Sequence, residues 1–354
     1  MVLACDYRLI SDSSDTRIGL PETKLGIIPG FGGCVRLPRV VGLQASLDVI
    51  LAGKAVDARK AQKIGLADEA VPSQLLEERA LSFALEVAGK GKRRKVFKAR
   101  GAIGKVLESL IGRSMVFKMA RKEVMKSTKG FYPAPVEAIK VISKTYGYSN
   151  REKALAIEMA SFEEVATTPI SKYLIDLFYM MEEVKKQTGV NGPVTPRPVR
   201  KLAVLGAGTM GGGIAQVAAD KGIEVRMKDI SNEALAIGYK AAYDVWSKDM
   251  SRKKINKYEF ESKMSRITGG LDYAAFGTVD VVVEAIVEDM GIKKKVIAET
   301  AKYLRPDAIF ATNTSGLSIN TLAQAFPEAL RHRFCGIHFF NPPRYMHLVE
   351  LIAC

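Results

Sequence analysis

An α/β chain in three successive parts is what this sequence predicts: a layered α/β unit, a helical connecting region, and an open, mostly parallel sheet. Three observations carry that expectation. Residues 1–72 are dense in glycine and proline with short apolar segments. Residues 73–187 change to long helical patterns, and residues 199–354 open with a strand, a glycine-rich turn and a helix. Between the last two, Thr188-Gly-Val-Asn-Gly-Pro-Val-Thr-Pro-Arg-Pro198 makes a poor helix or central strand and a good linker, so 188–198 is read as a boundary.

In the middle part, Glu152 to Val165 and Ser171 to Lys186 read as helices, preceded by the interruption Tyr132-Pro-Ala-Pro135. The second carries Leu174, Ile175, Leu177, Phe178 and Met181 at helical spacing, which predicts a packed face rather than a cofactor box. The chain shows no internal repeat and no low-complexity segment.

The most informative stretch is Val204-Leu-Gly-Ala-Gly-Thr-Met-Gly-Gly-Gly-Ile-Ala-Gln216. Lys201 to Leu205 reads as a buried parallel strand, and the helix after it would begin with unpaired N–H groups aimed at a pyrophosphate. Gly206 makes the tight turn, Gly208 lets the backbone approach the phosphates, and Gly211 lets helix and strand pack closely. Asp229 follows Gly211 by eighteen residues at the end of the strand Ile223-Glu-Val-Arg-Met-Lys-Asp, where it can accept both ribose hydroxyls. The acid favours NAD over NADP, since neither Arg226 nor Lys228 stands just after it to receive a 2′-phosphate. A third apolar strand is expected at Val279-Asp-Val-Val-Val-Glu-Ala-Ile-Val287. Strand, glycines, helix, strand and acid in this order make a Rossmann-type cofactor domain.

Composition excludes several other classes. The 354 residues can bury a sizeable core, and 47% hydrophobic content is ordinary for a globular protein. Cys5, Cys34, Cys335 and Cys354 have neither CxxC spacing nor a disulfide-rich pattern, and three scattered histidines do not complete a zinc set. A reducing, cytoplasmic compartment and no metal are therefore expected. No apolar run approaches a membrane helix, and Met1-Val-Leu-Ala-Cys-Asp6 lacks the pattern of a signal peptide.

A net charge of +15 is unusual, and much of it lies at Lys90, Lys92, Arg93, Arg94, Lys95, Lys98, Arg100 and Lys105, then Arg113, Lys118, Arg121, Lys122, Lys126 and Lys129. No aromatic interleaving or zinc finger accompanies it, which argues against nucleic acid. The run reads first as a solvated helical face, and second as attraction for an anionic, phosphate-bearing substrate such as a coenzyme A ester.

The last part carries candidate chemistry. Asp307-Ala-Ile-Phe-Ala-Thr-Asn-Thr-Ser315 is an apolar strand ending in small polar residues, as at the ligand-binding edge of an open α/β sheet. Glu288 and Lys293 follow the third strand, and a surface ion pair is as good a reading of them as a ligand contact. Phe334-Cys-Gly-Ile-His338-Phe-Phe-Asn341-Pro-Pro343 puts a histidine in an apolar segment, with Glu350 twelve residues later. A lone histidine there is more often a satisfied core residue. A carboxylate able to reach its second nitrogen, in a chain with a hydride acceptor, favours a general base and its orienting partner. His332 and His347 have no such support and read as surface residues.

Residues 199–354 closely resemble the NAD-binding domain of 3-hydroxyacyl-CoA dehydrogenases, through VLGAGTMGGGIAQ, VDVVVEAIVED, ATNTS and HFFNPP followed by LVEL. The resemblance implies that His338 takes the proton of the substrate 3-hydroxyl while hydride passes from C3 to the nicotinamide, and that Glu350 orients the imidazole. It further implies that Ser315 and Asn341 hold the reacting oxygen and the nicotinamide end, and that Met210, Asp229, Val287, Glu288 and Lys293 contact NAD.

The N-terminal part resembles the enoyl-CoA hydratase/isomerase (crotonase) superfamily through Asp6-Tyr-Arg-Leu9, Ile18-Gly-Leu-Pro-Glu22-Thr-Lys-Leu-Gly26 and the segment Leu51 to Asp68. That implies a partial crotonase-like unit over 1–72 with Glu22 as one of two carboxylates handling water and the α-proton. In the family the other glutamate and a glycine-rich oxyanion segment precede the stretch resembling Val2 to Asp6, so a residual hydratase module is expected, short of its largest catalytic term. The two modules in this order resemble the α-subunit family of the fatty-acid oxidation multifunctional enzyme. That resemblance implies an acyl-CoA substrate, a thiolase β-subunit partner, and a chain truncated at both ends. A non-catalytic NAD-binding or assembly protein is the alternative.

Overall fold

The structure is a computed structural model and describes residues 2–89, 97, 99, 101–189 and 192–354. Of the basic run, Lys90, Lys92, Arg93, Arg94, Lys95, Lys98 and Arg100 lie outside the described residues. The chain divides into two compact units, 1–192 and 193–354.

Four short strands open the first unit: β1 (Leu9–Ser11), β2 (Ile18–Gly19), β3 (Ala55–Val56) and β4 (Glu69–Val71). β1 pairs in parallel with β4, and β2 pairs antiparallel with β3. Helices supply the bulk. Ile28, Cys34, Leu37, Leu43 and Ile50 share one core with Val124, Ala134, Ala138, Ile142 and Val165, so the early segment and the later helices bury their apolar faces together. A polar tie reinforces this. The helix Gly33–Val41 begins at Gly32 without a side-chain cap of its own, and Glu158, from the helix Arg151–Ala166, accepts the N–H groups of Gly32 at 2.5 Å and Val35 at 3.1 Å. A carboxylate at a helix N-terminus satisfies orphan donors and complements the dipole. Burial nevertheless raises the Glu158 pKa.

Among the described residues, the face expected on the second long helix is packed only at its start, where Leu174 and Ile175 are half-buried. Pro169–Val184 buries only Ser171, and Leu177, Phe178 and Met181 stand 47%, 43% and 46% exposed. Its start meets the turn Glu22–Leu25, where Gly26 lies against Ser171 and Leu174. Periodicity reports a face that can be buried, whereas burial needs a neighbour. On the helix Leu110–Thr128, Lys118, Arg121, Lys122 and Lys126 are exposed, as is Lys129 at its C-cap, which is the solvated face.

Seven strands form the sheet of the second unit: β5 (Lys201–Leu205), β6 (Glu224–Lys228), β7 (Ile267–Gly270), β8 (Val281–Glu284), β9 (Ile309–Thr312), β10 (Phe334–Phe339) and β11 (Val349–Ala353). Their order is β11-β10-β9-β8-β5-β6-β7, parallel throughout except for β11, which runs antiparallel to β10. Both faces are covered, as a parallel sheet requires. Val204, Ile214, Met227 and Trp246 pack on one side, and Leu205, Phe276, Ile297 and Phe310 on the other. Two expectations need correction. β7 is an additional strand, too short and too glycine-rich to read as one, and the strand expected over 279–287 extends only from Val281 to Glu284. It is therefore the fourth strand of this sheet in chain order.

The glycine turn behaves as its spacing suggests. Gly206 has φ of 92°, a conformation that favours glycine, and a Cβ there would lie 2.6 Å from the Ala285 carbonyl oxygen. A Cβ at Gly211 would overlap the carbonyl oxygen of Gly206. Gly211→Ala is accordingly expected to cost about 2–3 kcal/mol by forcing the helix off the strand; an unchanged urea midpoint would contradict this close approach.

Candidate active site

The parallel strands β5, β8, β9 and β10 end on one edge, where an open α/β sheet binds ligands. A cleft of about 320 Å³ lies there, lined by Met210, Glu288, Asn313, Ser315, His338 and Asn341 among others. Five of these six were singled out by sequence, and Asn313 was not.

His338 is on β10 and Glu350 directly opposite it on β11. Antiparallel pairing turns a separation of twelve residues into contact: His338 Nδ1 and Glu350 Oε2 are 2.7 Å apart. The imidazole is 18% exposed and its ring lies 4.7 Å from that of Phe340, while the Glu350 side chain is 48% exposed. With Nδ1 engaged by the carboxylate, Nε2 is the nitrogen left for a reacting proton. Next to this pair, Asn313 Oδ1 accepts the N–H of Phe339 at 2.9 Å and so locks β9 to the end of β10.

Glu288 gathers the turn after β9. Its Oε1 accepts from Thr314 Oγ1 at 2.5 Å and from the N–H groups of Ser315 and Gly316 at 3.1 Å each. Burial works against its charge, but the bonds from Thr314 and Gly316 and the nearby Lys293 ammonium prevail and hold its pKa below the ordinary value. Lys293 is no surface residue. It is 1% exposed, with Nζ 2.6 Å from Glu284 Oε1 and 3.3 Å from Glu288 Oε2, and it is not among the residues lining the cleft. Sequence reading overlooked Glu284, although a lone acid closing the run Val281-Val-Val-Glu284 was the available signal.

The other candidates are distributed around the glycine turn. Asp229 Oδ2 accepts the Ala207 N–H at 2.6 Å, which ties the end of β6 to the turn after β5. Val287 is 62% exposed. Gly208 starts the helix Thr209–Asp220 with no side-chain cap, and a Cβ there would meet nothing within 4 Å. Uncapped N–H groups, open space above Gly208 and an acid beside the turn fit a dinucleotide. Gly213, also overlooked, lies so close to Pro343 that a Cβ would be 3.0 Å from its Cδ, which lets the turn bearing Asn341 rest on this helix.

Glu22 belongs to the first unit, apart from these residues. Burial raises its pKa, and its Oε2 is buried without a hydrogen-bond partner among the described residues. Glu158 shares with Glu22 the surroundings of the Cys34 thiol, and both its oxygens already serve N–H groups. Among the described residues, no group of His, Cys, Asp and Glu could hold a metal ion, and no helix is long and apolar enough to cross a membrane.

Comparison with known proteins agrees with this division. Residues 201–354 match the family described as 3-hydroxyacyl-CoA dehydrogenase, NAD binding domain, and residues 1–102 match enoyl-CoA hydratase/isomerase. The chain thus fuses a segment that matches the hydratase/isomerase family to one that matches the dehydrogenase NAD-binding domain. The fused chain is 39% identical over 99% of its length to the fatty acid oxidation complex subunit alpha of Vibrio vulnificus, and 38% identical over 99% to that of Vibrio campbellii. It spans about half the length of these relatives, 49% of each. A solved 3-hydroxybutyryl-CoA dehydrogenase of Escherichia coli is 36% identical, covering 44% of the fused chain and 32% of its own, with a TM-score of 0.42. NAD is the cofactor of the matched domain.

Two measurements check this geometry. Gly208→Ala is expected to keep the parent melting temperature while weakening NAD binding by about tenfold or more, because the added methyl enters space left for phosphate rather than a packed contact. Calorimetric titration decides it, and equal affinity would remove Gly208 from the site. An acid with a depressed native pKa binds fewer protons folded than unfolded, so Glu288 contributes stability above its ordinary value of 4.5 that is lost as pH falls below it. Glu288→Gln should thus lower the urea midpoint near neutrality and converge on the parent in acid. A gap independent of pH would count against the pairing.

Proposed function

We propose that the second unit oxidises 3-hydroxyacyl-CoA to 3-oxoacyl-CoA with NAD, as a step of fatty-acid β-oxidation. The observation that carries this is His338, paired with Glu350 at 2.7 Å and lining one cleft with Ser315 and Asn341. An alcohol gives up its proton reluctantly, and a positioned imidazole backed by a carboxylate lowers that barrier. Nε2 of His338 accepts the 3-hydroxyl proton, and Glu350 at Nδ1 stabilises the imidazolium that forms. Ser315 and Asn341, which line the same cleft, hydrogen-bond the substrate oxygen and the amide end of the cofactor. NAD, when bound, supplies the hydride acceptor; Gly206, Gly208 and Gly211 shape its pyrophosphate site, Asp229 takes the ribose, and Met210, Val287 and Glu288 bound the rest.

For the first unit the reading is enoyl-CoA hydratase/isomerase chemistry. Glu22 is the candidate carboxylate for it, and Glu158 is committed to helix capping. Location in the cytoplasm and a thiolase subunit as partner complete the reading. They rest on the cysteine pattern and on likeness to subunits of the fatty acid oxidation complex.

One observation favours the second reading, NAD binding without turnover. Asn341 and Glu350 are exposed, so the reacting groups are open to water in the chain as it stands. Residues 1–354, incubated with NAD and a 3-hydroxyacyl-CoA, are expected to form NADH, with His338→Ala reducing the rate by about 10²–10⁴-fold. NAD binding in calorimetry with no NADH formed would establish the non-catalytic alternative instead.

A further inference from the structure

We infer that Glu284 and Lys293 are positioning residues: one buried ammonium, shared by two carboxylates, fixes the segment Thr312–Gly316 that brings Asn313 and Ser315 to the cleft. The functional consequence rests on the dehydrogenase reading, whereas the positioning itself does not.

Both ends of that segment are pinned, each by a different carboxylate. At the strand end, Glu284 Oε2 accepts from Thr312 Oγ1 at 2.7 Å, and the Glu284 main-chain carbonyl accepts the Asn313 N–H at 2.7 Å. At the turn end, Glu288 accepts from Thr314, Ser315 and Gly316. Lys293 joins the two carboxylates, with its ammonium 2.6 Å from Glu284 and 3.3 Å from Glu288. Glu284 Oε1 also accepts the Ile286 N–H at 2.9 Å, so the carboxylate is held by three donors and has little freedom to move. Lys293 therefore acts on the cofactor edge through Glu288, with its own ammonium enclosed behind the cleft wall.

The alternative is that the pair merely stabilises the fold. Physical chemistry separates the two roles, because replacing a buried ion pair by apolar groups of similar volume is often tolerated, whereas removing one partner strands the other charge. The double variant Glu284→Leu with Lys293→Met therefore removes the tether without leaving an unpaired buried charge, and is expected to stay folded.

Amide hydrogen exchange of the ligand-free protein tests this. The N–H groups of Ser315 and Gly316 are expected to exchange about tenfold faster in the double variant, while those of β5 keep the parent rate. NAD affinity is expected to fall in parallel, by about tenfold. Parent rates at Ser315 and Gly316 in a folded double variant would overturn the inference. Should that variant not fold, Thr312→Val removes a single hydroxyl and is expected to speed the same two amides about threefold, with unchanged rates again overturning it. The exchange measurement needs neither cofactor nor turnover. A parent chain that forms no NADH would defeat the dehydrogenase reading and leave the positioning result intact.

Discussion

The second unit is organised around one close approach, the packing of Gly211 against the carbonyl oxygen of Gly206. No side chain fits between them, so the helix Thr209–Asp220 begins almost on top of the strand that precedes it. That proximity places the uncapped helix end at the ligand edge of the sheet, next to the terminus of β6 and Asp229. The same principle recurs two residues later. Gly213 admits Pro343, and through it the turn that carries Asn341 is seated on the cofactor helix. Close backbone approach at glycines thus aligns elements from opposite ends of the unit.

Charge is used sparingly but at depth. Most ion pairs of the second unit lie at the surface, such as Lys240 with Asp244 and Lys257 with Glu261, where solvent screening leaves them little weight. Glu284 and Lys293 differ, being almost wholly enclosed. A buried pair is weak evidence for stability, since desolvation offsets much of the Coulombic gain. Its contribution is geometric: each oxygen of Glu284 has a fixed partner, so strand end, helix and turn are held at set distances. Glu158 does comparable work in the first unit, where one acid caps a helix belonging to a distant part of the sequence.

How much of this was legible in the sequence depended on how local the signal was. The glycine turn, the acid after the second strand and the small polar end of β9 all follow from spacing over a few residues, and they could be read directly. His338 and Glu350 were legible as a pair only because a carboxylate stood one hairpin away, and antiparallel register brings such residues face to face. Glu284 was hidden because an acid at the end of an apolar strand looks like a terminus rather than a hub. β7 was hidden because Ile267-Thr-Gly-Gly270 has too few apolar residues to show alternation. The exposed face at Leu177 and Phe178 marks the limit of periodicity, which describes one helix and carries no information about its neighbour.

One feature of the sheet bears on how the pair at His338 is governed. β11 is the outermost strand, every residue of it is exposed, and β10 is its sole hydrogen-bonding neighbour among the described residues. An edge strand frays with a free energy far below that of global unfolding. The carboxylate that pairs with His338 Nδ1 therefore rides on an edge strand, whereas the histidine sits on an interior one. Pairing of His338 with Glu350 is thus governed by a local equilibrium, separable from the stability of the fold around it.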